Sequence, residues 1–247
     1  MSLPDRKLLL LATLTATLLL LLVPTIHAQE TNAANILSLI AEKNAARQSA
    51  LGSYTSTRTY RLDYTGIGGA HSAELVARLD YRAPGIKHFT VVSESGSKAI
   101  CEKVLRKLVE SEEEASQMAT RANWDISPQN YIAQLIGEDH VDGMRTWVLN
   151  VTPKNQSKYT YQGRIWVNMD DDAIVRVEAQ PAKNPSFWVG HATFDAHYEN
   201  VGGFWLPQKN VTVSHIRIGG EAKLTIDFGT YAVQPLQANR GETHPVF

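Results

Sequence analysis

The stretch from Tyr54 to Arg82 reads Tyr-Thr-Ser-Thr-Arg-Thr-Tyr-Arg-Leu-Asp-Tyr-Thr-Gly-Ile-Gly-Gly-Ala-His-Ser-Ala-Glu-Leu-Val-Ala-Arg-Leu-Asp-Tyr-Arg. Its character changes at every second residue, breaks at Gly66-Ile67-Gly68-Gly69, and then alternates again. Successive side chains of a β-strand point to opposite faces, so this pattern predicts two antiparallel strands joined by a tight turn. On the first, Tyr54, Arg58, Tyr60, Leu62 and Tyr64 share a face opposite Thr55, Thr57, Thr59, Arg61 and Asp63. On the second, Ala73, Leu75, Ala77, Leu79 and Tyr81 oppose Glu74, Arg78, Asp80 and Arg82. Each strand has one face to bury and one to leave in water.

Outward from this hairpin the same logic extends. Pro84-Gly85 closes the second strand, and Ile86 to Ser93 makes a third. Further strands are predicted over Tyr131 to Glu138, Met144 to Thr152, Lys158 to Met169, Ala173 to Gln180, Phe187 to Asn200, Trp205 to Ile218 and Ala222 to Val233. Asp142-Gly143, Asp170-Asp171-Asp172, Gly202-Gly203 and Gly219-Gly220 lie at the turns. Helical spacing appears at Asn35 to Leu51, ended by Gly52, and at Lys98 to Glu110. In the second, Ile100, Val104 and Leu108 form one row beside Cys101, Leu105 and Val109. Ser111 and Glu114 fit a capping box that starts a further short helix. The fold class expected is mainly β (α+β): roughly ten antiparallel strands with a few capping helices, and no internal repeat. Three helices cannot cover so wide an apolar face unless the sheet curls, which leaves either a filled core or a hydrophobic cavity. The tryptophans Trp147, Trp166, Trp188 and Trp205, all in strands, suit either outcome.

Composition narrows the function. The chain has 247 residues, 24 Lys and Arg against 25 Asp and Glu, and a single cysteine. Neither a nucleic-acid partner nor an internal disulfide is expected. Arg6 and Lys7 precede an apolar run from Leu8 to Val23, and Thr25-Ile26-His27-Ala28 offers a small residue before Gln29. The run is shorter than the ~20 residues of a membrane span, so it is expected to be a signal peptide cut after Ala28. No cysteine follows to carry a lipid anchor. The expected organisation is a cleaved segment 1–28, one domain 29–233 and a tail 234–247, free in the periplasm as a monomer.

Catalytic patterns are few. Ser95-Gly96-Ser97-Lys98 spells S-x-x-K at a helix start, without the S-D-N or K-T-G partners of the penicillin-binding enzymes, and a helix cap by Ser97 explains it equally. The alternation His191-x-Thr-x-Asp195-x-His197-x-Glu199 could gather metal ligands. The opposite face of that strand, Ala192, Phe194, Ala196 and Tyr198, is apolar, so a solvent-facing row is the expected reading. Asp170 to Asp172 lacks the glycine and glutamate of a calcium loop. Cys101 sits on the helix stripe as a small core residue. No metal, no cofactor and no catalytic residue are expected.

The strings Ile126-Ser-Pro-Gln-Asn-Tyr131, Asp142-Gly-Met-Arg-Thr-Trp-Val-Leu149, Val151-Thr-Pro153, Tyr161-Gln-Gly-Arg-Ile-Trp-Val167, Ile174-Val-Arg-Val-Glu178 and Phe204-Trp-Leu-Pro207 follow one another after the leader and the opening helix. In that order they resemble exported bacterial proteins of the LolA/LolB-like outer membrane lipoprotein-sorting group, over roughly residues 35 to 233. The resemblance implies an open antiparallel β-barrel whose helices lid a hydrophobic cavity. It also implies a periplasmic carrier that takes acyl chains of lipoproteins or lipids from an inner-membrane donor to an outer-membrane acceptor. On that reading Tyr60, Leu62, Leu75, Leu79, Trp166, Trp188 and Phe194 line the cavity, and Arg58 is the nearest counterpart of the arginine that locks the lid. The lipobox cysteine of the receptor branch is missing. Related folds serve as envelope sensors that bind a regulator, which is the alternative reading. A metal-dependent or serine hydrolase is the weaker one.

Overall fold

The computed structural model describes residues 26–116, 124–184 and 189–236. The leader expected over residues 1–28 lies almost wholly outside these, as do Trp188 and most of the expected tail. The chain opens with helix α1, Ile26–Ala50, longer at its start than the periodicity from Asn35 predicts. Its buried residues Ala33, Ile36, Leu37 and Ile40 follow the three-and-four spacing of one helix face.

The meander β1 (Leu51–Gly66), β2 (Gly69–Arg82) and β3 (Ile86–Gly96) comes next. Gly52, expected to stop the helix, is already inside β1, where the backbone of Gln234 passes so close that a Cβ would meet its carbonyl at 2.8 Å. Helix α2 then runs as one rod through Lys98–Ile100, a π-helical turn Cys101–Leu105 and Arg106–Ser116. Two helices were expected here. Ser111 and Glu114 fall within the continuous rod, so they start nothing. Ser97 stands at the N-cap without a side-chain capping bond. The π-turn rotates the buried stripe onto Cys101, Leu105 and Val109 and leaves Val104 43% exposed.

The remaining strands are β4 (Tyr131–Val141), β5 (Met144–Pro153), β6 (Tyr161–Asn168), β7 (Ile174–Pro181), β8 (Val189–Val201), β9 (Phe204–Ile216), β10 (Glu221–Phe228) and β11 (Ala232–Pro235). The last two replace the single strand expected from Ala222 to Val233. The chain breaks at Gly229, whose N–H donates to the Thr57 carbonyl at 2.7 Å. β11 ends at Pro235, two residues beyond the expected domain boundary. The β4–β5 turn is built on Asp142 (φ 50°) and Gly143 (φ 81°), the paired left-handed geometry that matches strand twist.

All eleven strands form one antiparallel sheet in the order β3-β2-β1-β10-β9-β8-β7-β6-β5-β4, with β11 beside the first part of β1. The sheet does not close, because β3 and β4 are its two free edges. The fold is therefore the open antiparallel β-barrel with lidding helices that was expected. The chain crosses from edge to edge through α2 and the segment that follows it.

Two helices divide the apolar face. α2 packs on β2 and β3, over a core in which Tyr60, Leu75, Leu79 and Leu105 have no exposure. α1 packs on the other half, against Leu149, Val151, Ile165, Val167 and Val177. Each fully buried side chain contributes roughly 1.5–3 kcal/mol, so both halves are packed cores. The sequence left filled core and cavity as alternatives; the sheet holds both, with a cavity where the two cores meet.

Candidate functional site

The cavity measures about 580 Å³, within the range of sites that hold a small molecule. Its walls come from the C-terminal half of α1, the strand ends of β1, β2 and β9, the segment 124–127, and β6 to β8. Rings dominate: Tyr54, Tyr81, Trp124, Tyr159, Tyr161, Tyr198, Phe204 and Trp205. Tyr54 stacks on Tyr81 at 4.6 Å and meets Tyr231 edge-on at 5.3 Å. Trp124 stacks on Tyr159 at 4.5 Å. The exposed Ala45 and Gln48 mark the rim.

Charge enters the wall at Arg47, Arg58 and Lys87. Arg47, near the end of α1, binds the β6–β7 turn through the Asp171 backbone carbonyl and carboxylate, the latter at 3.3 Å. Asp171 also accepts the Trp205 indole N–H at 2.6 Å. The triple-aspartate turn is thus an anchor for a helix.

Arg58 is only 1% exposed. Its guanidinium lies between the rings of Phe89, at 5.2 Å, and Phe228, at 4.6 Å, an arrangement favoured by the charge on an aromatic face. Its Nη1 donates to Glu112 of α2, which also accepts from Lys87 Nζ at 2.7 Å and from the Tyr60 hydroxyl at 3.4 Å. Its Nε is buried without a hydrogen-bond partner. Burial alone would push the Glu112 carboxyl up, but Lys87 and then Arg58 hold it down at about 2. Burial likewise pulls on Arg58, and the attraction of Glu112 more than restores it, so the guanidinium stays charged. Tyr60 is pushed up by burial and by Glu112, so it stays neutral. One carboxylate on the lid helix therefore joins two cations of the cavity wall.

The structure separates the residues named from sequence. Arg58 lines the cavity and pairs with α2. Tyr60, Leu62, Leu75 and Leu79 lie in the packed core beneath α2 and not on the cavity wall, because the lid helix sits directly on that part of the sheet. Trp166 does not face the cavity either. It lies on the opposite face from Ile165 and Val167, in a separate cluster with Val141, Val148 and Val175. There its indole N–H donates to Asp139 at 2.9 Å, and Arg164 and Arg176 cover its ring. Phe194 packs edge-to-face against Tyr161 at 5.6 Å and supports the wall from behind. Trp188 lies outside the described residues. The strand row His191 to Glu199 faces outward, where Asp195 is held by Arg176 through two bonds of 3.0 and 2.8 Å and by His197 at 3.2 Å. Among the described residues no group of three or more His, Cys, Asp and Glu is placed to hold a metal ion. Cys101 is buried, its thiol pushed up by burial.

A second hollow of about 700 Å³ crosses β5 to β9 and is bordered by outward-facing Asn150, Gln162, Glu178, Asp195, Val211 and Val213. It is the larger of the two but shallow and open, with no helix over it, so the interior cavity is the better candidate. Tyr161, Tyr198, Trp124 and Tyr159 were not singled out from sequence as wall residues. The signal available for Tyr198 was its place on the apolar face of β8. Trp124 belongs to a connection, where no periodicity marks a side chain as inward, and Tyr159, expected within the strand Lys158 to Met169, lies just before β6 begins.

Architecture and cavity together define the class: an open antiparallel β-barrel with an aromatic-walled cavity beside the C-terminal half of α1. A family model described as "Uncharacterized protein" matches residues 102–234, more than half of the chain, and the chain belongs to that family. No curated protein matches it. Among solved structures it is similar to a DUF1329 family protein from Desulfovibrio piger, at 14% identity and a TM-score of 0.42, covering 83% of this chain and 94% of that one. It is also similar to an outer membrane lipoprotein-sorting protein domain from Vibrio parahaemolyticus, at 11% identity and a TM-score of 0.41, covering 85% and 95%. A third similarity is to MucB in its complex with MucA from Pseudomonas aeruginosa, at 14% identity and a TM-score of 0.28, covering 84% and 100%. No described helix is long and apolar enough to cross a membrane.

Proposed function

We propose that the cavity between the two packed cores holds the apolar part of a lipid-like amphiphile. On this reading the protein is a periplasmic carrier that takes acyl chains of lipoproteins or lipids toward the outer membrane. The observation that carries the reading is the cavity itself, about 580 Å³ of space walled by rings inside an otherwise close-packed fold. It is a recess that opens at a rim on α1, and a concave, ring-lined space of this size is what small-molecule sites use. Moving a chain from membrane to cavity exchanges one apolar setting for another, at ~0.8 kcal/mol for each CH₂ kept from water. The Arg58–Glu112 pair keeps α2 closed beside the cavity and is the natural point of release. No catalytic step is assigned: in the outward-facing row of β8, His197 pairs with Asp195 and His191 stacks on His215. The deciding experiment is native mass spectrometry of the mature protein purified from its own envelope. A chain beginning at Gln29 with a bound lipid is expected. A ligand-free protein that also fails to take up a fluorescent fatty acid would overturn the carrier reading.

One observation favours the second reading, a sensor that binds a regulator. The edge strand β4 exposes Ile132 and Ile136, and an unpaired strand edge is a template for an added strand, whereas the β3 edge is partly taken by α2, whose Ser116 and Glu113 accept from the Lys87 and Phe89 N–H groups. A membrane regulator that co-purifies in place of lipid would decide for it.

A further inference from the structure

Tyr161 on β6 and Tyr198 on β8 both line the cavity. Both lie at full depth in the fold, yet each ring retains accessible surface. A side chain that is deep but accessible faces an internal space. Neither hydroxyl has a hydrogen-bond partner among the described residues, although the neighbouring Tyr131 hydroxyl is satisfied by the Tyr161 backbone N–H at 3.3 Å. Burial pushes both phenols well up, and for Tyr161 the closeness of Tyr198 adds to it, so both keep their protons and can donate as well as accept. Among the described residues the one sealed polar side-chain atom without a partner is Arg58 Nε, so both phenol oxygens open onto the cavity and are free to bond what enters it. A wall made for hydrocarbon alone would carry phenylalanine here, filling the same space without presenting two hydroxyls.

We propose that the cavity takes its ligand with an uncharged, oxygen-bearing group inward, bonded to the Tyr161 and Tyr198 hydroxyls. The ligand class is a neutral-headed amphiphile: an alcohol, ester or ketone on an apolar body. A carboxylate or phosphate does not suit this inner end. Of the wall cations Arg47, Arg58 and Lys87, none acts on either phenol, and the charge that reaches Tyr161 is that of Asp125, so an anion there would meet no counter-charge, with burial opposing its ionisation. This inference rests on the carrier reading above and specifies which end of the cargo is read by the protein.

The test uses Tyr161→Phe, Tyr198→Phe and the double variant of the mature chain, which remove the oxygens and keep the rings. Binding is measured by displacement of a cavity-bound, uncharged naphthylamine dye. The competitors are dodecanol, methyl dodecanoate, dodecanoate and dodecane, delivered from cyclodextrin. The wild type is expected to prefer dodecanol and methyl dodecanoate to dodecane, and the double variant to lose that preference by about ten-fold or more, the worth of two net hydrogen bonds. Affinity for the dye and for dodecane should be unchanged, which also reports that the cavity survives. Equal loss for all competitors, no loss for any, or tightest binding of dodecanoate would overturn the inference while leaving the carrier reading intact. Failure of the wild type to bind the dye or any competitor would overturn both.

Discussion

Replacing Glu112 with Gln removes the charge that joins the lid helix to the cavity wall while nearly conserving shape. In the native protein the Glu112 carboxyl is held at about 2 against an ordinary 4.5, which corresponds to ~3 kcal/mol of stability if fully expressed. A structural estimate agrees in size. Breaking a buried ion pair on one side costs about 3–5 kcal/mol, and the 28% exposure of the Glu112 side chain with the residual amide acceptor places the change at the lower end. Arg58, 1% exposed and fixed between two rings, cannot turn to water for compensation. The sign follows from the depressed value. Between about 2 and 4.5 the unfolded chain binds a proton at this position that the folded chain does not, so stability rises with pH across that window. The increment is complete above pH 5 and vanishes as pH falls through 2. Urea unfolding of wild type and Glu112→Gln should therefore differ by ~3 kcal/mol at pH 7 and converge as pH is lowered toward 2. Other carboxyls held low by partners, such as Glu94 and Asp195, weaken both proteins alike and cancel in the difference. A domain of ordinary stability, about 5–15 kcal/mol, survives the loss, and hydrogen exchange should quicken first in Arg106–Ser116. A difference that stays the same from pH 7 to pH 3, or one below 0.5 kcal/mol throughout, would refute the assignment of Glu112 as the lid's anchor.

Two further outcomes are expected. Leu75 has no exposure and lies beneath α2, so Leu75→Glu buries an unpaired carboxylate and should unfold the domain, read as loss of the cooperative thermal transition; a folded variant would show that this part of the sheet is open space. Gly163 sits at φ +151°, and a Cβ there would lie 2.4 Å from the Glu178 carbonyl oxygen and 2.6 Å from the Ala179 Cα. Gly163→Ala should accordingly cost roughly 3 kcal/mol in denaturant unfolding, and a neutral result would mean that β6 and β7 are farther apart than described.

The strands and their inward faces were legible because period-two alternation is local: Tyr60, Leu62, Leu75 and Leu79 are buried as the hairpin pattern requires. Legibility ended where structure depends on residues far apart in the chain. The pattern cannot say that α2 lies directly over Leu75 and Leu79, so that residues on the correct face belong to a filled core and not to the cavity. Nor does alternation fix which face of β6 is inward when Ile165, Trp166 and Val167 are all apolar and all buried. Trp166 is covered from outside by Arg164 of its own strand and by Arg176 and Asp139, which only the strand order of the sheet brings near. The π-turn at Cys101–Leu105 likewise shifted the buried stripe by a residue. Arg58 was the exception. A lone arginine on an otherwise aromatic and aliphatic strand face must find a counter-charge once buried, and Glu112 supplies it.

The same pair connects lid and cavity energetically. Arg58 contributes to the cavity wall, yet its charge is matched from α2, so the closed position of the lid and the shape of the wall are set by one contact. That contact is incomplete, because Arg58 Nε has no acceptor, and an unmet donor on a buried charged group costs more than the 1–3 kcal/mol of a neutral one. The closed state thus carries a penalty that offsets part of the ~3 kcal/mol held in Glu112. Opening α2 exposes Arg58 to water and satisfies Nε, but it also uncovers the core of Leu75, Leu79 and Leu105, at roughly 1.5–3 kcal/mol for each side chain. On the carrier reading, the ligand must therefore cover the apolar surface that α2 leaves, because only differential binding of that kind favours an open lid. On that reading the Arg58–Glu112 contact sets where α2 sits when closed, and the apolar core beneath it is what a ligand would have to replace.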